Sequence, residues 1–254
     1  MKILVTFALE NEFAPWRKMR KFKRASEDSW DKTFVATVGD ASVRVLLTGA
    51  GRFASQRAMD QAFAEVPDAC IVSGFAGALK PEYLPGQVLT ARTVGNSTGT
   101  RVMHCDAELV SMASESGARV AGRIIASESV VATSNEKRRL GVSGDAVDME
   151  SLWVMSAAAK RSVRAVVIRA ISDSVDHDLP LDFDHVFDGQ GRVSIVKVLG
   201  QVAKKPQRIA GLLRLAGDSE QAAQALARFL DAYIDSFSSQ TVDGISKAAA
   251  MAVN

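Results

Sequence analysis

Apolar strands and segments with helical periodicity alternate along the chain. Residues 2–8 and 68–75 are nearly continuous apolar runs, which is typical of strands covered on both faces. Between them, residues 52–66 place small or apolar side chains at every fourth position, the spacing of one helix face. This alternation predicts a mixed α/β fold whose central sheet is covered by helices.

The remaining elements follow from the same patterns. Residues 32–38 and 42–48 flank the turn signal Gly39-Asp40 and predict a β-hairpin. Asp218, which follows Gly217, is interpreted as the N-cap of the last helix. Further strands are predicted at 87–94, 123–131, 146–148 and 164–171, and further helices at 136–140, 150–160, 193–204, 206–215 and 218–237.

The chain has no internal repeat and no linker-like segment. We therefore expect one domain over residues 1–254, with a mixed, twisted central sheet flanked by helices. A helical C-terminal extension is expected over residues 190–237. Hydrophobic residues make up 47% of the chain and charged residues 24%, which is typical of a globular protein with a sizeable core.

The charge balance gives little support to a nucleic-acid or membrane function. The net charge is only +2. A basic run at residues 17–24 is interpreted as a solvated helix end, with peripheral binding to an anionic surface as the alternative. The N-terminal apolar run is too short to span a bilayer, so we expect a cytoplasmic protein without stable membrane insertion.

Cysteines and histidines are few and show no ligand spacing. Cys70 lies in an apolar run and, with Cys105, offers no disulfide framework. His104, His177 and His185 do not combine with the cysteines into a metal-binding pattern. We therefore expect no structural metal and no cofactor.

Carboxylates follow several predicted strands. Glu12 comes after the first strand, Asp148-Met149-Glu150 lies where a short strand meets a helix, and Asp173 follows the strand at 164–171. Each residue alone is compatible with an ordinary helix cap or first-turn acid. Ligands of α/β sheets bind beyond strand ends, however, so these junctions are the candidate site.

The motifs at these junctions resemble those of the nucleoside phosphorylase/nucleosidase superfamily. In order along the chain they are MKILVTFALENE, LLTGAG, VSGFAGAL, AVDMES and IRAISDSVD. The likeness covers roughly residues 1–180 and is closest to the methylthioadenosine/S-adenosylhomocysteine nucleosidases. It implies cleavage of the N-glycosidic bond of a purine nucleoside, with adenine as the expected base, by an enzyme that needs no cofactor.

The resemblance also implies roles for individual residues. Asp173 would donate a proton to N7 of the purine, and Glu150 would accept hydrogen bonds from the ribose 2′- and 3′-hydroxyls. Met149 would bound the sugar, and Glu12 would orient or deprotonate the attacking water. The further substrate-binding candidates are Phe75, Ala76, Gly77, Val130 and Ser172.

The first loop bears on the choice between water and phosphate as nucleophile. Residues 7–12 carry two acids, no arginine and no glycine, and such a loop repels a phosphate dianion. Arg52 is the one candidate phosphate ligand, and it can equally be a surface residue at a helix start. Hydrolysis is favoured, with a phosphorylase as the alternative and a non-catalytic nucleoside-binding protein as the third hypothesis.

The sequence departs from the nucleosidases in three places. Phe75 stands where they carry a small hydroxyl residue, and Val130 and Val131 stand where bacterial members offer an aromatic to stack on the base. The tail from Leu181 has a weaker likeness to phosphorylase-like proteins associated with hopanoid synthesis, which would imply a large apolar 5′ group. We favour the other interpretation, a helical layer that completes the core or an oligomer contact, because amphipathic helices are usually packing elements. We expect a homo-oligomer, most simply a dimer.

Overall fold

The computed structural model describes residues 1–25, 32–63, 65–182, 201 and 208–251. The strands within these ranges are β1 Lys2–Phe7, β2 Lys23–Arg24, β3 Thr33–Val38, β4 Ala41–Leu47, β5 Ala69–Ala78, β6 Val88–Asn96, β7 Val102–His104, β8 Arg119–Ala126, β9 Ala146–Asp148 and β10 Arg164–Asp173. The helices are α1 Glu10–Arg20, α2 Arg52–Ala62, α3 Ala107–Glu115, α4 Ser134–Leu140, α5 Ser151–Ala159 and α6 Ile209–Met251.

All strands join one mixed sheet with β5 at its centre. On one side β5 pairs in parallel with β1, which pairs in parallel with β4, and β3 and β2 follow antiparallel. On the other side, β5, β10, β6, β8 and β9 pair in turn and return to β5, so these five strands close into a small barrel. The short β7 adds to β6. The predicted mixed α/β fold is confirmed.

The parallel strands at the centre determine where a ligand can bind. Val5, Val72 and Val167 of β1, β5 and β10 are fully buried, as the continuous apolar runs predict. Because β1, β4, β5 and β10 run in the same direction, their carboxyl ends meet at one edge of the sheet. The last residues of β5 also pair with β9, which brings the start of α5 to the same edge.

Two elements at this edge differ from the prediction. The strand predicted at 123–131 is β8, which ends at Ala126, because its pairing with β6 and β9 stops there. The acidic first loop is in fact the first turn of α1, whose pattern is obscured by Pro15 and by charged residues. Burial of Phe13 and Trp16, three residues apart, holds this helix on the core. The segment with α3 and β7 was left unassigned by the sequence pattern.

The C-terminal helix is continuous where a break was predicted. The interpretation of Asp218 as an N-cap is wrong, because α6 passes through Gly217 and Asp218 without interruption. A glycine inside a helix costs roughly 1 kcal/mol, and buried Leu226 and Leu230 further along outweigh that cost. The helix predicted at 193–204 lies outside the described residues, apart from residue 201.

Helix α6 is tied to the core by polar contacts as well as by packing. Trp16 of α1 donates its indole N–H to Asp231 at 3.2 Å, and Arg20 forms an ion pair with the same carboxylate. Tyr233 donates its hydroxyl to the carbonyl of Leu109, the two oxygens being 3.0 Å apart. The described part of the extension therefore covers the sheet as a helical layer. No helix in the described ranges is both long and apolar enough to cross a membrane.

Candidate active site

A cavity of about 850 Å³ opens at the carboxyl edge of the sheet. Glu12, Glu150 and Asp173 all line it, although they are far apart in the sequence. The other predicted positions that line the cavity are Phe75, Ala76, Gly77, Val130, Met149 and Ser172. The structure thus brings together in one cavity the carboxylates that were predicted at the ends of separate strands.

Glu12 is fixed by the start of α1 and the end of β5. Its Oε2 accepts the N–H of Leu9 at 2.8 Å, and its Oε1 accepts the N–H of Phe75 at 2.9 Å. The side chain is buried, and this burial raises the pKa of Glu12, opposed by the charge of Arg169 and by the backbone donors. Glu12 therefore presents a rigid carboxyl group whose proton affinity is above the ordinary value.

Glu150 connects the start of α5 to the loop after β4. Its Oε1 accepts the N–H of Gly51 at 2.7 Å. Burial raises the pKa of Glu150 to about 7; Arg169 opposes this shift, and the neighbouring Asp148 and Glu12 add to it. This carboxyl group is consequently poised to change its charge near neutral pH.

Arg169 is the cation at the floor of the site. It is fully buried in β10, and its Nη1 donates to the carbonyl of Ser73 at 2.9 Å. Its Nη2 lies 2.7 Å from Asp148 Oδ2 and 3.9 Å from Glu150 Oε2. Arg169 was not among the residues predicted from the sequence, although an arginine inside the apolar run 164–171 was a visible signal, since a buried charge requires a partner.

A glycine makes room for this charge cluster. Gly74 has φ +136°, a conformation that L side chains rarely adopt. A Cβ at this position would press on the guanidinium of Arg169 and lie 2.9 Å from Glu12 Oε1. The close approach of β5 to both side chains therefore requires glycine.

Asp173 is held by two donors at the end of β10. Its Oδ1 accepts the hydroxyl of Ser172 at 2.7 Å, and its Oδ2 lies 2.6 Å from Lys137 Nζ. The Asp173 side chain is 14% exposed, whereas that of Lys137 is completely buried. Lys137 was also missed, because it lies in a polar segment that gave no indication of burial.

The structure places the Arg52 side chain against Trp153 and Glu128. Its guanidinium carbon lies 4.5 Å from the ring centre of Trp153, and its Nη1 is 3.4 Å from Glu128 Oε1. Arg52 is not among the described residues that line the cavity. Lys18 of α1 does line it, but stands six residues from Glu12, about 9 Å along the helix.

The cavity continues from the carboxylates into an apolar part. Leu212 and Leu215 of α6 form one wall, with Leu179 and Leu181 of the segment after β10 beside them. The site thus offers acidic groups at one end and an apolar surface at the other. The part of the chain that the structure describes contains no group of three His, Cys, Asp or Glu side chains that could hold a metal ion.

The family is shown by comparison with known proteins. A sequence profile of the phosphorylase superfamily matches residues 2–211, so the chain belongs to that superfamily. No sequence among the curated proteins matches significantly.

Solved structures that resemble the chain are nucleosidases and a related hydrolase. A mutant of the Helicobacter pylori methylthioadenosine/S-adenosylhomocysteine nucleosidase, with 5′-methylthioadenosine in its active site, is 17% identical with a TM-score of 0.71, covering 92% of this chain and 98% of that one. The Helicobacter pylori futalosine hydrolase is 17% identical with a TM-score of 0.71, over 93% and 98%. The Neisseria meningitidis nucleosidase, in complex with methylthio-immucillin-A, is 20% identical with a TM-score of 0.70, over 92% and 99%. At these identities the likeness shows a shared fold.

The raised pKa of Glu150 predicts that its carboxylate destabilises the folded protein. The folded state binds this proton more tightly than the unfolded chain, so stability falls as pH rises from about 4.5 to about 7. Glu150→Gln should therefore be more stable than wild type at pH 8, and the difference should vanish near pH 4. Denaturant unfolding at both pH values measures this.

The matched control for this measurement is Glu128→Gln. Glu128 is an acid whose side chain is 75% exposed, so its replacement should leave the pH dependence of stability unchanged. A Glu150→Gln variant that is less stable than wild type at pH 8 would show that the carboxylate is well compensated in the folded state.

Proposed function

We propose that the protein is a nucleosidase, which hydrolyses the N-glycosidic bond of a purine nucleoside with an apolar 5′ substituent. The observation that carries this proposal is that Glu12, Glu150 and Asp173 line one cavity at the carboxyl edge of the sheet. Their types match the three tasks of the reaction: activating water, binding the ribose and protonating the base. The nucleosidases with which the chain shares its fold support adenine as the base.

The chemistry follows from the charge that develops as the bond breaks. The sugar becomes cationic and the purine gains electron density, so an acid at N7 and anions beside the sugar stabilise the transition state. Asp173 supplies the acid. Glu150 accepts from the ribose 2′- and 3′-hydroxyls, and its carboxylate stabilises the cation. Met149, half-buried beside it, bounds the sugar.

Glu12 is placed to act on water. Its oxygens accept the backbone N–H groups of Leu9 and Phe75, with that of Ala8 also acting on it, and the lone pairs that remain can accept a water in the cavity. Its raised pKa makes it a better base than an ordinary glutamate. As the C1′–O bond forms and the C1′–N9 bond breaks, the water gives one proton to Glu12, and N7 receives one from Asp173.

The surroundings of Glu12 support water over phosphate. Arg52 is engaged with Trp153 and Glu128, and Lys18 lies about two turns of α1 away from Glu12. A dianion beside Glu12 would therefore be repelled without direct support from Arg52 or Lys18, and Arg169 is already paired with Asp148. Phe75 leaves the nucleophile without the hydroxyl expected in nucleosidases, and Val130 and Val131 leave the base without the stacking aromatic. A protein that only binds nucleosides, however, has no need of three carboxylates.

The apolar part of the cavity supports an apolar 5′ substituent. The wall of α6 carries the apolar side chains of Leu212, Leu215, Ala216 and Ala223, together with Ser219, Glu220 and Gln224. A polar 5′ group packed on Leu212 and Leu215 would leave its hydrogen bonds unmade. The cytoplasmic location and the homodimer stay predictions. The apolar side chain of Phe53 on α2 is 83% exposed, which is compatible with a contact to a second copy of the chain.

The nucleophile is tested with 5′-methylthioadenosine in buffers with and without phosphate. We expect free 5-methylthioribose and adenine at a rate independent of phosphate. Glu12→Gln should lose at least about 100-fold in kcat, because the base is removed, and Arg52→Ala should change kcat by less than about threefold. A sugar 1-phosphate product that disappears in Arg52→Ala would replace the hydrolase with a phosphorylase.

The 5′ preference is tested with adenosines that carry methylthio, butylthio and hexylthio groups. Each added methylene should lower KM by about threefold while it enters the apolar part of the cavity. Leu215→Asn should abolish this trend, whereas Leu213→Asn, a neighbour that is 71% exposed, should preserve it. A KM that is independent of chain length in wild type would contradict an apolar 5′ group.

A further inference from the structure

Lys137 is a buried lysine in direct contact with the candidate acid. Its side chain is completely buried on α4, and its Nζ lies 2.6 Å from Asp173 Oδ2. The same nitrogen donates to the carbonyls of Ser174 at 2.8 Å and His177 at 3.1 Å. The three N–H bonds of the ammonium therefore have three acceptors, one of them a carboxylate that lines the cavity.

The position of Lys137 is set by the local structure on both sides. A capping box between Thr133 and Glu136 fixes the first turn of α4. At the far side, Asp173 Oδ2 packs against β5, where a Cβ on Gly77 would come within 2.9 Å of it. Nζ and Oδ2 are thus held together by two elements that leave them little freedom to separate.

The hydrogen bonds from Lys137 to the loop after β10 do not explain why a charged side chain is buried here. That loop has other contacts with α4: the N–H of Ser134 donates to Asp178 at 2.7 Å, and Arg138 pairs with Asp176 at 2.7 Å. An ammonium removed from water is costly unless its charge is used in a pair. Its partner here is the carboxylate that the proposed reaction uses as acid.

We infer that Lys137 is a positioning residue that holds Asp173 toward the leaving base and replaces the proton that Asp173 gives to it. The inference rests on the proposed function, since it takes Asp173 as the acid. Starting from the ion pair, as the C1′–N9 bond breaks, the Lys137 ammonium passes one proton to Asp173 and Asp173 passes one proton to N7, so that Lys137 becomes an amine and Asp173 is again a carboxylate. After the base leaves, solvent returns the proton to Lys137.

The other charged groups around Lys137 are engaged elsewhere. The charge of Lys137 lowers the pKa of Asp178 in the following loop, but the N–H and hydroxyl of Ser134 lower it more. The ring of His177 is hydrogen bonded to Ser174, and Glu136 on the same helix bonds to Thr133. Asp173 is therefore the acid that shares a proton with Lys137.

The test compares two leaving bases on one sugar. The probes are 5′-hexylthioadenosine and its 6-chloropurine counterpart, whose base leaves more easily without a proton. In Lys137→Met, kcat for the adenine nucleoside should fall at least about 100-fold and that for the chloropurine nucleoside less than about tenfold. The chloropurine-to-adenine ratio of kcat should thus rise about tenfold or more, with KM little changed.

The ratio separates a role in proton transfer from a structural role. A merely structural lysine would lower both rates together and leave the ratio unchanged. Lys137→Gln keeps a donor for the loop carbonyls but has no transferable proton, so it should raise the ratio as well. The control Arg138→Met removes a neighbouring contact to the same loop without touching Asp173, and should leave both rates within about threefold of wild type.

Asp173→Asn, measured in the same assay, separates the two proposals. If Asp173→Asn raises the ratio and both Lys137 variants do not, the acid role of Asp173 stands and the inference about Lys137 is overturned. If none of the three raises it, Asp173 is not the acid, and its role in the proposed function fails together with the inference about Lys137. If both Lys137 variants are unfolded while Arg138→Met is folded, Lys137 is a structural anchor and the inference is overturned.

Discussion

The site depends on one buried guanidinium that is shared among several carboxylates. Arg169 is fully buried and lies within ion-pair distance of Asp148 and Glu150, and its charge also acts on Glu12. Three acids face one cation, so the cluster carries an excess of negative charge when all are ionised. Burial raises the pKa values of both Glu12 and Glu150, and for Glu150 the neighbouring carboxylates Asp148 and Glu12 add to the shift.

The backbone at the strand ends compensates part of that excess. Glu12 accepts the N–H groups of Leu9 and Phe75, and Glu150 accepts that of Gly51. These donors come from loops that follow β1 and β4 and from β5 itself, so the charges can assemble only when the strands are in register. The same arrangement aims fixed dipoles and acids at the cavity, where a cationic sugar would need them. The buried acids that are proposed to act in catalysis therefore lower the folding stability of the protein.

The sequence predicted the fold well where burial leaves a simple pattern. Apolar runs identified β1, β5 and β10 because a strand buried on both faces has no polar alternation. The pattern failed at α1, where charged residues and Pro15 hide a helix held by Phe13 and Trp16. It also failed at Gly217, because the packing of α6 on distant strands outweighs a local helix breaker.

Only the site residues that lie in recognisable motifs or at predicted strand ends could be predicted from the sequence. Glu12, Glu150 and Asp173 were named from strand ends and from the resemblance, and the fold brings them to one cavity. Arg169 and Lys137 were not named, because their importance lies in contacts between segments: Arg169 with Asp148 and Lys137 with Asp173. Hydrophobic periodicity indicates which side of a helix or strand is buried, but it does not indicate which charged side chains contact each other across the sheet.

The most direct test of the account is the pH dependence of folding stability in Arg169→Met, measured by denaturant unfolding at pH 5 and pH 8. Without the guanidinium, Glu12 and Glu150 keep only their backbone donors, so both resist ionisation even more strongly. We expect Arg169→Met to lose about 3–5 kcal/mol of unfolding free energy at pH 8 and clearly less at pH 5, where Glu150 holds its proton. An equal loss at both pH values would show that Arg169 acts through packing, and would contradict its role as the shared counter-charge of the site.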